Sequence, residues 1–98
     1  MLYDAYEVFL ETLANRRRVK IVEALMSGPK HVSEIVRKTK FEQSNVSHNL
    51  RRLERCGFVK AKRNGKNRVY SVNNTTVRPL MMLIKNHVNR YCKNCLRR

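Results

Sequence analysis

A mainly helical fold carrying one β-hairpin is predicted by three observations. Apolar residues recur at spacings of three and four through most of the chain, the mark of amphipathic helices. One stretch, FVKAKRNGKNRVYSV, reads instead as two short strands about Asn64-Gly65, the residue pair that most readily adopts the positive φ angles of a type I′ turn. The polar-faced segment FEQSNVSHNLRRLERCG runs directly into that stretch. A short helix, a polar-faced helix and a basic hairpin in succession describe a winged helix-turn-helix, ordered α-α-α-α-β-β-α in a single domain over residues 1–98.

Each element has its own signal. Tyr3, Tyr6, Phe9, Leu10 and Leu13 place the first helix, with one broad apolar face. Asn15 is suited to cap the next, RRRVKIVEALMSG, in which Val19, Ile21, Val22, Leu25 and Met26 cover an inner face before Gly28-Pro29 stops it. Val32, Ile35 and Val36, with Ser33 and Glu34 in the opening turn, leave room for a two-turn helix, and Phe41 plugs the turn after it. Over residues 43–56, Val46, Leu50 and Leu53 share one face. Rotation by about 100° per residue puts Ser44, Ser47, His48, Arg51, Arg52 and Arg55 on the opposite, outward side. Gly57 suits the left-handed position that ends such a helix. Phe58 and Val59 open the first strand of the hairpin, and Val69, Tyr70 and Val72 populate the return strand. Thr75 or Thr76 caps the last helix, where Pro79 falls in a first turn that has no intrahelical donor to lose. Val77, Leu80, Met81, Ile84, Val88 and Tyr91 line its apolar side.

Charge narrows the function classes. The chain carries 22 Lys and Arg against 7 Asp and Glu, a formal net charge of +15 on 98 residues. So one-sided a balance repels itself unless a polyanion is at hand, and double-stranded DNA is the expected partner. A nonspecific architectural DNA- or RNA-binding protein of the same fold is the alternative that charge alone allows. No membrane partner is expected: no apolar run approaches the roughly 18–20 residues of a spanning helix. The start MLYDAYEVFLETL is acidic early rather than basic like a signal peptide, so the expected location is cytoplasmic. Catalysis is not expected either, because the 7 carboxylates form no recognisable acid/base or nucleophile pairing and the 3 glycines all serve caps or turns. The sequence therefore implies no catalytic residue, no cofactor and no small-molecule substrate.

A helix that reads DNA needs short hydrogen-bonding side chains near its N-terminus and long cations further along. Gln43, Ser44, Asn45, Ser47, His48, Arg51 and Arg52 follow that order, with Arg51 the first choice for a base contact because Arg pairs bidentately with guanine O6 and N7. Lys60, Lys62, Arg63, Lys66 and Arg68 on the wing are placed to neutralise phosphates or enter a narrow minor groove. Lysines also blunt exposed strand edges, but five cations around one hairpin exceed that need. Tyr3, Tyr6, Phe9, Ile84, Val88 and Tyr91 are more apolar surface than a lone small domain leaves wet, which points to a homodimer through the first and last helices.

Across residues 9–88 the chain resembles the ArsR/SmtB family of winged-helix transcriptional repressors. The resemblance rests on Leu13-Ala14-Asn15 with Arg18 and Ile21, on Gln43-Ser44-Asn45-Val46-Ser47, on Leu50, Leu53 and Gly57, and on Tyr70 in the wing. It implies a homodimer built from the first and last helices, whose two recognition helices read successive major grooves of an inverted repeat. The family's metal sensors carry cysteines in the third helix or a carboxylate and histidine cluster in the last. Here those places read KHVSEIV and TTVRPLMMLIKNHVNRYC, so the resemblance transfers DNA contacts and no metal site. His31 and His87 stand singly, as surface or core residues usually do. Cys92 and Cys95 in CKNC suit free tail thiols, a disulfide within or between subunits, or half of a zinc site, and Cys56 a small packing residue at a helix end.

Overall fold

The computed structural model describes residues 2–92, and side chains from residue 4 onward. Helices α1 (Leu2–Leu13) and α2 (Arg16–Leu25) lead into a short strand β1 (Lys30–His31). Helices α3 (Val32–Thr39) and α4 (Gln43–Arg55), strands β2 (Val59–Asn64) and β3 (Asn67–Val72), and helix α5 (Val77–Tyr91) follow. Mainly helical architecture with a small antiparallel hairpin is the outcome expected from periodicity.

Local chemistry sets the boundaries. Asn15 is extended at φ −147° and its side-chain oxygen accepts from the Arg18 N–H at 3.0 Å, capping α2. Gly57, at φ +78°, ends α4: its N–H donates to Glu54 O at 3.1 Å and the Phe58 N–H reaches back to Leu53 O at 2.9 Å. Those paired bonds make a Schellman motif and deliver Phe58 straight into the core. Before α5 the two threonines are not the effective caps, since Asn73 Oδ1 accepts from the backbone N–H of both Thr75 and Thr76. Helix α3 ends on Lys40, at φ +66°, a left-handed position where a side chain costs about 1–2 kcal/mol relative to glycine.

At the start of α3 the Glu34 carboxylate accepts from the His31 backbone N–H at 2.8 Å. That bond, first among several causes, holds the Glu34 pKa below its ordinary value. A depressed folded-state pKa gives stability that is present above the ordinary carboxylate range and lost as pH falls through the lowered value. Comparing thermal midpoints of wild type and Glu34→Gln from about pH 6 to about pH 3 should show a gap that closes on acidification. A gap independent of pH would contradict this assignment.

Two features depart from the sequence reading. The sheet has three strands in the order β1-β3-β2, because Lys30 and His31 pair antiparallel with Tyr70 and Val69. The hairpin also turns one residue later than expected: Asn64 pairs with Asn67, so Gly65-Lys66 forms the loop. Positive φ falls on Gly65 alone, at +66°, which is the sign pattern of a type II′ turn rather than I′.

The core collects Ile21 and Leu25 of α2, Ile35 of α3, Val46, Leu50 and Leu53 of α4, Val59, Tyr70 and Val72 of the sheet, and Val77 and Met81 of α5. Phe58 is fully buried and stacks on Phe9 of α1, with ring centroids 4.9 Å apart. Thus α4 is held from behind on three elements while its opposite face stays open.

Candidate nucleic-acid interface

Burial of Val46, Leu50 and Leu53 fixes the rotation of α4, and with it the direction of every polar side chain on that helix. Gln43, Ser44, His48 and Arg51 are exposed, while Asn45 and Ser47 are half-buried. Gln43, Ser47 and Arg51, one turn apart from each other, line a single groove whose far wall is the wing, through Lys66, Asn67 and Arg68. His31 and Ser33, at the junction of β1 and α3, complete it. Sequence periodicity missed His31 and Ser33, because a two-residue strand has no period to detect. On the wing Lys60, Lys62, Arg63, Lys66 and Arg68 are all exposed. A hydrogen bond to the Tyr70 side chain, first among several causes, raises the Arg68 pKa above its ordinary value.

Arg52 breaks the outward pattern. Its guanidinium turns back to α1, where Nε donates to Thr12 Oγ1 at 3.2 Å and Nη2 lies 4.0 Å from the Glu11 carboxylate. It belongs to a polar joint centred on Arg18, whose Nε donates to Thr12 O at 2.7 Å, Nη2 to Glu11 O at 3.1 Å and Nη1 to Asn49 Oδ1 at 3.3 Å. Asn49 is buried and passes the network on to Asn45, with Nδ2 3.1 Å from Asn45 Oδ1. Thr12 is fully buried, and Cys56 Sγ lies 3.3 Å from its hydroxyl. Burial, and then the neighbouring Arg52 charge, lower the Arg18 pKa. The joint rivets α1 to α2 and α4, so the reading helix cannot rotate independently of α1. The only sequence signal for it was Arg18 within the resemblance segment.

The expected dimer residues divide. Tyr6, Val88 and Tyr91 are exposed, at 62%, 46% and 66%. Phe9 and Ile84 are instead half-buried against the core of their own chain, Phe9 through its stack on Phe58. Tyr3 lies outside the described side chains. Leu10, on the apolar face read for the first helix, is exposed too, as are Val8, Met82 and Leu83, which periodicity did not single out. Val88 and Tyr91 continue the stripe of Met81 and Ile84, but α5 runs on past the body of the domain and leaves them wet.

Among the described residues no three of His, Cys, Asp and Glu gather closely enough to hold a metal ion. Cys92 closes α5, its N–H donating to Val88 O at 3.0 Å, and Cys95 lies outside the described residues. No described helix is long and apolar enough to cross a membrane.

Residues 15–61, the span from the α2 cap into the wing, match the family model for bacterial regulatory proteins of the arsR family. The chain belongs to the arsR family. An HTH-type transcriptional regulator of Mycobacterium tuberculosis, NmtR, is 39% identical over 72 residues, covering 74% of this chain and 60% of that protein. A probable mercury resistance operon repressor of Streptomyces lividans is 35% identical over 82 residues, covering 84% of this chain and 66% of that protein. The chain thus spans about three fifths to two thirds of the length of these relatives. Among solved structures, a homodimeric winged helix-turn-helix DNA-binding domain of Mycobacterium bovis superposes with a TM-score of 0.87 at 28% identity, over 95% of this chain and 86% of that one. The crystal structure of Mycobacterium tuberculosis Rv0081 gives a TM-score of 0.87 at 29% identity, over 97% and 96% of the two chains. Winged helix-turn-helix is therefore the fold of this arsR-family chain.

Proposed function

We propose that this chain is a sequence-specific double-stranded DNA-binding transcriptional regulator, a repressor, that acts as a homodimer on an inverted repeat. One observation carries the reading: Gln43, Ser47 and Arg51 of the exposed α4 face share a groove with Lys66 and Arg68 of the wing. A helix in the major groove with a cationic hairpin beside it meets base edges and phosphates at once. Arg51 reads a base, and the wing cations hold the backbone. The names of the relatives, regulators and a repressor, support the regulatory role, and the homodimeric Mycobacterium bovis domain supports the assembly. Arg52 contributes through the joint to α1 rather than as a base reader, which revises its expected part.

The test compares selected and random duplexes. Arg51→Ala should cost about 1–3 kcal/mol on a selected site and relax preference at one position per half-site, with little change on random DNA. Lys62→Ala should weaken both duplexes alike and shallow the log–log salt dependence by about one unit per lost phosphate contact. Equal weakening of both duplexes by Arg51→Ala would favour a nonspecific DNA- or RNA-binding protein instead.

A further inference from the structure

The wing flanks α4 on the side of Gln43, Ser47 and Arg51. On the other flank, where Asn49 meets Arg18, lies α2. Its outer face and the α3–α4 turn build a second basic surface that the wing and the recognition helix do not account for. Arg16 and Lys20 line a shallow groove there with Thr39 and Phe41, and the Glu23 carboxylate borders the same groove. Arg17 lies over the Phe41 ring, 5.7 Å from its centroid, which holds the guanidinium beside the first turn of α4. Lys40, exposed at the C-terminal cap of α3, directly precedes Phe41 in that turn. Arg16, Lys20 and Lys40 are exposed and make no ion pair with the described residues. Lys38, which also borders the groove, is engaged elsewhere, donating to Ser27 Oγ at 3.2 Å.

Backbone conformation adds an independent sign that a side chain is wanted here. Lys40 is the one residue other than glycine with positive φ among those described; the other three such positions are Gly28, Gly57 and Gly65. Glycine would hold the φ of +66° without strain and would still donate the bond to Val36 O. A non-glycine residue kept in the left-handed region is the pattern found where strain serves a site.

From these observations we propose that Arg16, Arg17, Lys20 and Lys40 form a second phosphate clamp, which grips the sugar-phosphate strand on the side of the major groove opposite the wing. The inference rests on the DNA-binding reading above and extends it. A helix lying in the major groove has a backbone strand on each side, and the wing reaches only one. The shelf supplies cations to the other. Because phosphates carry no sequence information, the clamp sets register and orientation without altering base preference.

The experiment measures the salt dependence of binding to a random-sequence duplex of about 30 bp, long enough for two half-sites one turn apart. Wild type, Lys40→Gly, the double variant Arg16→Gln with Arg17→Gln, and Lys62→Ala on the wing are compared, with thermal midpoints recorded for each. Lys40→Gly should raise the midpoint while making the log–log slope shallower by about one unit, and the double variant should make it shallower by about two. The shelf and wing losses should add in a combined variant, because the two sites share no partner. A Lys40→Gly protein that is stabilised but keeps the wild-type slope, together with an unchanged slope in the double variant, would overturn the clamp. Wild-type protein whose binding to the duplex showed no salt dependence would overturn the DNA reading itself, and the clamp with it.

Discussion

Replacing Val88 and Tyr91 by Glu should give a folded monomer that has lost high-affinity binding to a palindromic site. Both side chains lie on the part of α5 that extends past the domain body and are 46% and 66% exposed, so the isolated fold does not need them. Ile84 sits on the same stripe but packs against its own core, and a charge there would test folding rather than assembly. Four carboxylates, two from each copy, would replace apolar and aromatic side chains at one symmetric interface, and taking charges out of water there costs several kcal/mol. Loss of the second subunit removes the gain of about 10²–10⁴ in avidity that comes from tethering two half-site readers together. Sedimentation at micromolar concentration and binding to the selected duplex check both halves of the prediction. A double variant that remains dimeric, or binds as wild type does, contradicts assembly through α5.

Removing the guanidinium of Arg18 should destabilise the fold by about 3 kcal/mol, the largest loss expected from any single polar residue here. The side chain satisfies Thr12 O, Glu11 O and Asn49 Oδ1 together, and both Thr12 and Asn49 are buried. Each buried acceptor stripped of its donor costs about 1–3 kcal/mol. Arg18→Ala therefore leaves unpaired groups as well as a gap. Arg18→Lys should recover only part of the loss, because one ammonium cannot span three acceptors on two helices as a planar fork does. Urea denaturation at fixed protein concentration measures this, and a change below about 0.5 kcal/mol for Arg18→Ala would show that the joint is not structural. Since the joint rivets α4 to α1, the variant should also lose discrimination between selected and random DNA before it loses binding to either.

How far the sequence revealed these features depends on the range over which each one is encoded. Val46, Leu50 and Leu53 repeat within a single helix, so the open face of α4 could be read from spacing alone, and the same holds for the Asn15 cap and the Gly57 stop. Strand β1 is two residues long, below any period, and exists only because β3 offers Lys30 and His31 an edge. In the hairpin, Asn64-Gly65 is a strong local turn signal, yet the pairing of Val59 with Val72 and Ala61 with Tyr70 sets the register and moves the loop to Gly65-Lys66. Helical rotation put Arg52 outside, because a single-helix projection cannot contain Thr12 of α1. Phe9 and Ile84 show a related limit of range: periodicity identifies an apolar stripe but not how much of it its own core covers. The cation shelf was equally hidden, since Arg16, Arg17 and Lys20 meet the turn that Phe41 fills only once α2 packs beside it.

Selection of bound duplexes from a random DNA pool at physiological salt distinguishes a dimer that reads sequence through paired recognition helices from every other mode of binding. The expected product is an inverted repeat whose half-site centres are about 10–10.5 bp apart or a multiple of that spacing. A pool that converges on no sequence, or on a single unrepeated half-site, would contradict paired reading by a dimer.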